Sequence, residues 1–64
     1  MRVIPIDVYD KDGNFSKIEV QVADGEHVVD IVWDPADEQT SENRILFRQF
    51  AYRVLEQKGY EVNK

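Results

Sequence analysis

The chain has no cysteine, and its 64 residues include only two prolines, three glycines and one histidine. Without cysteine there is no disulfide to staple so short a chain, and no thiolate to hold a metal or act as a nucleophile. A sequence of this length forms one domain at most, residues 1–64, and buries only about 60% of the surface its unfolded form exposes. Its core has to supply all the stability, or a partner or second copy has to help. Long hydrophobic runs are missing too. None approaches the ~20 residues needed to cross a bilayer, and Met1-Arg2-Val3-Ile4-Pro5 lacks a signal-peptide h-region. A cytoplasmic protein making no membrane contact is the expectation. The glycines stand apart, so no phosphate-cradling loop is present.

A further absence is local. From Ile18 to Glu42 there is no Lys or Arg, against the eight acids Glu19, Asp24, Glu26, Asp30, Asp34, Asp37, Glu38 and Glu42. The next stretch, Asn43 to Lys58, reverses the sign with Arg44, Arg48, Arg53 and Lys58 against Glu56 alone. Such sorting governs partners and association rates rather than fold. The overall charge of −5 opposes binding to generic nucleic acid or to anionic lipid, which carry the same sign. With 42% apolar residues the chain is too hydrophobic to remain disordered.

Alternating patterns predict strands over Val3–Tyr9 and Phe15–Val22 and a third strand closed by Asp34-Pro35. A three-residue loop, Lys11-Asp12-Gly13, joins the first two. It places Ile6 opposite Ile18, Ile4 opposite Val20, Asp7 opposite Lys17 and Tyr9 opposite Phe15. A two-residue Gly25-Glu26 turn then sets Val22 against Val29, Val20 against Ile31 and Ile18 against Trp33. The expected core face is Ile4, Ile6, Val8, Ile18, Val20, Val22, Val29, Ile31 and Trp33. A helix is predicted over about 41–58, capped by Thr40 or Ser41 and ended by Gly59. Its stripe of Leu46, Phe47, Phe50, Ala51, Val54 and Leu55 covers that face, with Phe50 at the centre. Tyr60-Glu61-Val62 reads as a short fourth strand parallel to the first, joining an edge that the sequence leaves open. The fold class is α+β, a three-stranded antiparallel meander packed on one C-terminal helix, in the order β-β-β-α-β.

Catalytic machinery is sparse, and no catalytic, cofactor-binding or metal-binding residue is assigned. His27 sits in a turn, while Ser16, Thr40 and Ser41 suit a strand and a helix cap. Asp34, Asp37 and Glu38 lack the glycine bend of a hard-cation loop and read as a solvated connector to the helix. The acids on the outer sheet face and at its ends also suggest a nucleic-acid mimic, though Lys17 interrupts them. Two surfaces stand out as contact sites. One is the outer sheet face with Tyr9, Phe15, Val28 and Val32, a second apolar set on a nominally wet side. The other is the helix back, where Ile45 and Tyr52 stand two turns apart beside Arg48 and Arg53, residue types enriched at binding hot spots.

The β-β-β-α order, over roughly the first 58 residues, resembles the small three-stranded-sheet DNA-binding domains, such as the arm-binding domain of tyrosine-family phage integrases. That resemblance implies a sheet laid in the major groove, whereas Asp7, Glu19 and Asp30 here stand at expected outward positions with only Lys17 basic. The short, acidic chain with its Met start also looks like phage and mobile-element accessory proteins that bind and inhibit a host protein. The reading that follows is a non-enzymatic protein-binding module, regulatory or inhibitory, with a homodimer also in view. The alternatives are a nucleic-acid binder using the Arg-rich helix and a homo-oligomeric structural protein.

Overall fold

The computed structural model describes residues 1–62. The elements run β1 (Arg2–Tyr9), β2 (Phe15–Val22), β3 (His27–Val32), α1 (Ser41–Gln57) and β4 (Glu61–Val62). The four strands form one sheet in the order β3-β2-β1-β4, antiparallel except for β4, which runs parallel to β1. The expected α+β class and element order are those of the protein, and the edge taken by the last strand is that of β1. Arg2 pairs with Glu61 and Val3 with Val62.

Both hairpins use one device. In the first, the Asp10 N–H donates to the Asn14 carbonyl at 2.8 Å and the Gly13 N–H to the Asp10 carbonyl at 3.1 Å. In the second, the Val22 N–H donates to the Glu26 carbonyl at 3.0 Å and the Gly25 N–H to the Val22 carbonyl at 2.9 Å. Each is a three-residue loop whose last residue is a glycine at positive φ, +83° for Gly13 and +92° for Gly25. The second loop is therefore Ala23-Asp24-Gly25, one residue longer than the predicted Gly25-Glu26 turn. Three residues after each glycine the ladder takes in an extra residue. Tyr9 pairs with Phe15 but Val8 with Lys17, so Ser16 bulges. Gln21 pairs with His27 but Val20 with Val29, so Val28 bulges.

The Ser16 bulge corrects the predicted register of β1. Asp7 lies opposite Ile18, not Lys17; Pro5 opposite Val20; Val3 opposite Val22; and Ile6 opposite Glu19. A one-residue slip turns a whole strand over. Val3, Pro5 and Asp7 share the helix side with Ile18 and Val20, and Ile4, Ile6 and Val8 turn to the outer side. In β3 the pairs are Val20–Val29 and Ile18–Ile31, two residues from the predicted pairs, yet Val29 and Ile31 still pack against the core. A two-residue offset keeps the face.

The bulge also carries Phe15 inward. Expected on the outer face beside Tyr9, Phe15 is 5% exposed and sits in the core with Val3, Ile18, Val20, Trp33, Ala51 and Leu55. Its ring meets Trp33 at 5.6 Å and Phe47 at 5.7 Å between centroids, and Trp33 and Phe47 meet at 5.0 Å, all edge to face. The Tyr9–Phe15 pairing holds, with the rings 5.8 Å apart. Gln39, from the connector, bonds to the bulged backbone. Its Oε1 accepts from the Phe15 N–H at 2.9 Å and its Nε2 donates to the Phe15 carbonyl at 2.7 Å, as a neighbouring strand would.

Thr40 caps α1, its hydroxyl accepting from the Asn43 N–H at 3.0 Å. The far end closes with the Gly59 N–H on the Glu56 carbonyl and the Tyr60 N–H on the Leu55 carbonyl, a paired C-terminal cap that turns the chain into β4. The helix is rotated from its predicted seating. Ala51 and Leu55 are fully buried and Phe47 packs beside them, whereas Leu46 is 55% and Phe50 53% exposed. Phe50 is thus not the centre of the buried stripe. Ala51 and Leu55, both sealed from solvent, hold that place. We predict that Leu55→Ala destabilises by about 2–5 kcal/mol and Phe50→Ala by less than about 1 kcal/mol in denaturant titrations. A larger loss for Phe50→Ala than for Leu55→Ala contradicts this seating.

Candidate functional site

The rotation of α1 gives its two flanks different characters. The flank towards β1 is polar. Asp7, turned to the helix side by the register of β1, accepts through Oδ2 from Arg48, and Arg44 approaches the same oxygen at 3.9 Å. Arg44 Nη2 donates to the Tyr9 hydroxyl at 2.7 Å, and its guanidinium lies 5.0 Å from the Phe15 ring centroid and 5.4 Å from that of Tyr9. Arg48 Nη1 donates to the Tyr52 oxygen at 3.4 Å. This bond, and then Asp7, raise the Arg48 pKa above its ordinary value, so its charge is fixed. The other Asp7 oxygen, Oδ1, is sealed from solvent and accepts no hydrogen bond among the described residues. A depression of about 260 Å³ opens beside this cluster, with Ile45 and Ser41 at its lip.

The flank towards β3 is apolar. Val32, at the end of the edge strand, is 68% exposed with its side chain on the outer face beside Lys17, and Leu46 and Phe50 of the helix, 55% and 53% exposed, line the same flank. Between them runs a groove of about 440 Å³ floored by Trp33 and Phe47. Its polar rim is acidic, formed by Asp34 and Asp37. Asp34 Oδ1 accepts from the Ala36 N–H at 3.0 Å, and the Asp37 carbonyl accepts from Trp33 Nε1 at 3.3 Å. These bonds fix the connector along the groove and leave both carboxylates without a cationic partner among the described residues.

On the outer sheet face Lys17 Nζ bridges to Asp30 Oδ2 at 3.1 Å and His27 Nε2 lies 2.8 Å from Asp30 Oδ1. Lys17, then His27, hold the Asp30 carboxyl below its ordinary range. The predicted attraction of Lys17 for Asp7 is replaced by this one, because Asp7 lies on the opposite face.

The residues singled out from sequence fall into separate places. Phe15 is core, and Tyr9, 49% exposed, belongs with Arg48 and Tyr52 to the polar flank. Val28 is half-buried at its bulge, Val32 stands at the groove, and Ile45 and Arg53 are exposed on the helix. Sequence reasoning missed Leu46 and Phe50 as surface residues, since it spent them on the core. The available signal was the width of the stripe, broader than the face that Phe47, Ala51 and Leu55 bury. Among the described residues no three His, Cys, Asp or Glu side chains gather as metal ligands, and no helix is long and apolar enough to cross a membrane.

Comparisons with protein-family models, curated proteins and solved structures return no significant match.

The polar flank is asymmetric in its demands. Removing Arg48 leaves Asp7, only 24% exposed, with Arg44 at 3.9 Å and with Oδ1 still unbonded. Removing the Asp7 charge leaves a guanidinium that is 39% exposed and can be solvated. Arg48→Met is expected to cost about 1–2 kcal/mol and Asp7→Asn less than about 1 kcal/mol, with a measurable coupling in the double-mutant cycle. Equal costs with no coupling contradict the pairing.

Proposed function

We propose that this chain is a non-enzymatic protein-binding module, a small regulatory or inhibitory accessory protein that acts by surface contact through the groove of Val32, Leu46 and Phe50. One observation carries the reading. Two large apolar side chains of the helix, Leu46 and Phe50, each more than half exposed, stand over one groove whose strand side is bordered by Val32, instead of lying scattered. Scattered exposed apolar residues are ordinary, but a contiguous set floored by Trp and Phe rings is the composition of a contact surface.

The polar flank favours this reading over a nucleic-acid binder. Two of the helix arginines on which that alternative relies are engaged, Arg48 with Asp7 and Tyr52, and Arg44 with Tyr9. On the outer sheet face Lys17 is already paired with Asp30, which leaves Arg2, at the start of β1, as the strand cation there that a phosphate could meet.

Capture from a lysate of the source cell tests the proposal, with wild type and Phe50→Lys as parallel baits. Phe50 is half exposed, so its replacement preserves the fold, which a melting curve checks. A protein retained by wild type and reduced at least about tenfold by Phe50→Lys is the expected result, matching the loss of one hot-spot side chain. Identical capture by both baits overturns the assignment of the groove.

A further inference from the structure

The groove lies beside an unpaired strand edge. β3 ends the sheet order, and among the described residues no strand pairs with its open side. The Trp33 N–H donates to the Ser16 carbonyl at 3.1 Å, which makes that pair a bonded rung of the β2–β3 ladder. Bonded and non-bonded pairs alternate in an antiparallel ladder, so Ile31 and Val29 also bond towards β2. The N–H and C=O groups of Val32 and Asp30 then point outward. These free backbone donors and acceptors lead, at Val32, into the groove whose far wall is Leu46 and Phe50.

Charge decides which strand fits there. The chain from Ile18 to Glu42 carries eight acids and no Lys or Arg, and Asp34 and Asp37 rim the groove itself. A second copy pairing through β3 would bring two such segments together, with Asp30 of each at the new ladder, and like charges across a ladder repel. A basic strand meets the opposite situation.

Resting on the protein-contact reading above, we propose that the occupant of this site is an extended segment of a partner protein, in which Lys or Arg alternates with apolar residues, adding to β3 as a fifth strand. Its backbone takes up the outward groups of Asp30 and Val32, as in other strand-addition complexes. One set of alternate side chains rests on Leu46 and Phe50, and the basic residues reach Asp34 and Asp37. Backbone bonds supply affinity, and the acid rim selects the partner and speeds its arrival.

Selection from a library of random peptides tests this, using lengths of about ten residues, longer than the six residues of β3. Selection runs on the intact chain at about 150 mM salt, where only close charge pairs persist. The expected winners alternate basic and apolar residues. A synthetic winner should change the fluorescence of Trp33, the single tryptophan, which floors the groove. At saturation it should slow exchange of the Asp30 and Val32 amide protons by about tenfold or more. Asp34→Asn with Asp37→Asn should weaken it about fivefold, and N-methylation of alternate peptide backbone nitrogens should weaken it about tenfold. No enrichment, acidic winners, or a winner that leaves the two amides unprotected or tolerates N-methylation overturns strand addition. If such a winner is still lost on Phe50→Lys, strand addition fails while the groove stands as a contact surface; if Phe50→Lys leaves its binding unchanged, both fail.

Discussion

The bulge at Ser16 is the constraint on which the rest of this structure depends. By taking one extra residue into β2 between the partners of Tyr9 and Val8, it reverses the two faces of β1. Phe15 moves from a nominally outer position into contact with Trp33 and Phe47. Asp7 arrives on the helix side, where a carboxylate requires a cation, and Arg48 supplies it. That pair on one side and the burial of Ala51 and Leu55 beneath the helix go with the observed rotation of α1. With α1 so turned, Leu46 and Phe50 lie beside Val32 instead of beneath the helix. The candidate contact surface is thus a remote consequence of a local backbone irregularity.

The bulge is held by side chains well separated in sequence. Gln39 bonds to both backbone groups of Phe15, and the Ser16 carbonyl accepts from Trp33. Backbone groups that a regular ladder would pair are thereby satisfied by the connector and by the end of β3, which removes the penalty a buried orphan would impose. Gln39 also ties the acidic connector to β2, and this fixes Asp34 and Asp37 where they rim the groove. Fold and site share one set of bonds.

Much of the architecture was legible in the sequence because it rests on local rules. Alternation gave the three strands, Asp-Gly pairs marked both hairpins, Thr40 and Gly59 bounded the helix, and the Tyr9–Phe15 pair followed from the first loop. The face of β1 was not legible. Ile4, Ile6 and Val8 are the more apolar half of that strand and read as its core side, while Asp7 reads as exposed. Nothing in a period-two pattern announces an extra residue, and the partner that makes Asp7 tolerable inside lies on another element, at Arg48. The helix stripe failed for a related reason. Six apolar positions fit a broad face, and only the packing at Ala51 and the Asp7 pair decide which half is buried. Val32 was singled out as an exposed contact residue from sequence, whereas its neighbours in the groove, Leu46 and Phe50, were not.

Cross-strand backbone contacts in a labelled sample test the central claim most directly, because they report register without reference to side-chain packing. The bulged register predicts nuclear Overhauser effects joining Asp7 with Ile18, Pro5 with Val20 and Val3 with Val22, together with the Tyr9–Phe15 contact on the loop side of Ser16. A regular ladder, with Asp7 joined to Lys17, Ile6 to Ile18 and Ile4 to Val20, would contradict the account. It would return Asp7 to solvent, separate it from Arg48, and remove the reason for Leu46 and Phe50 to be exposed.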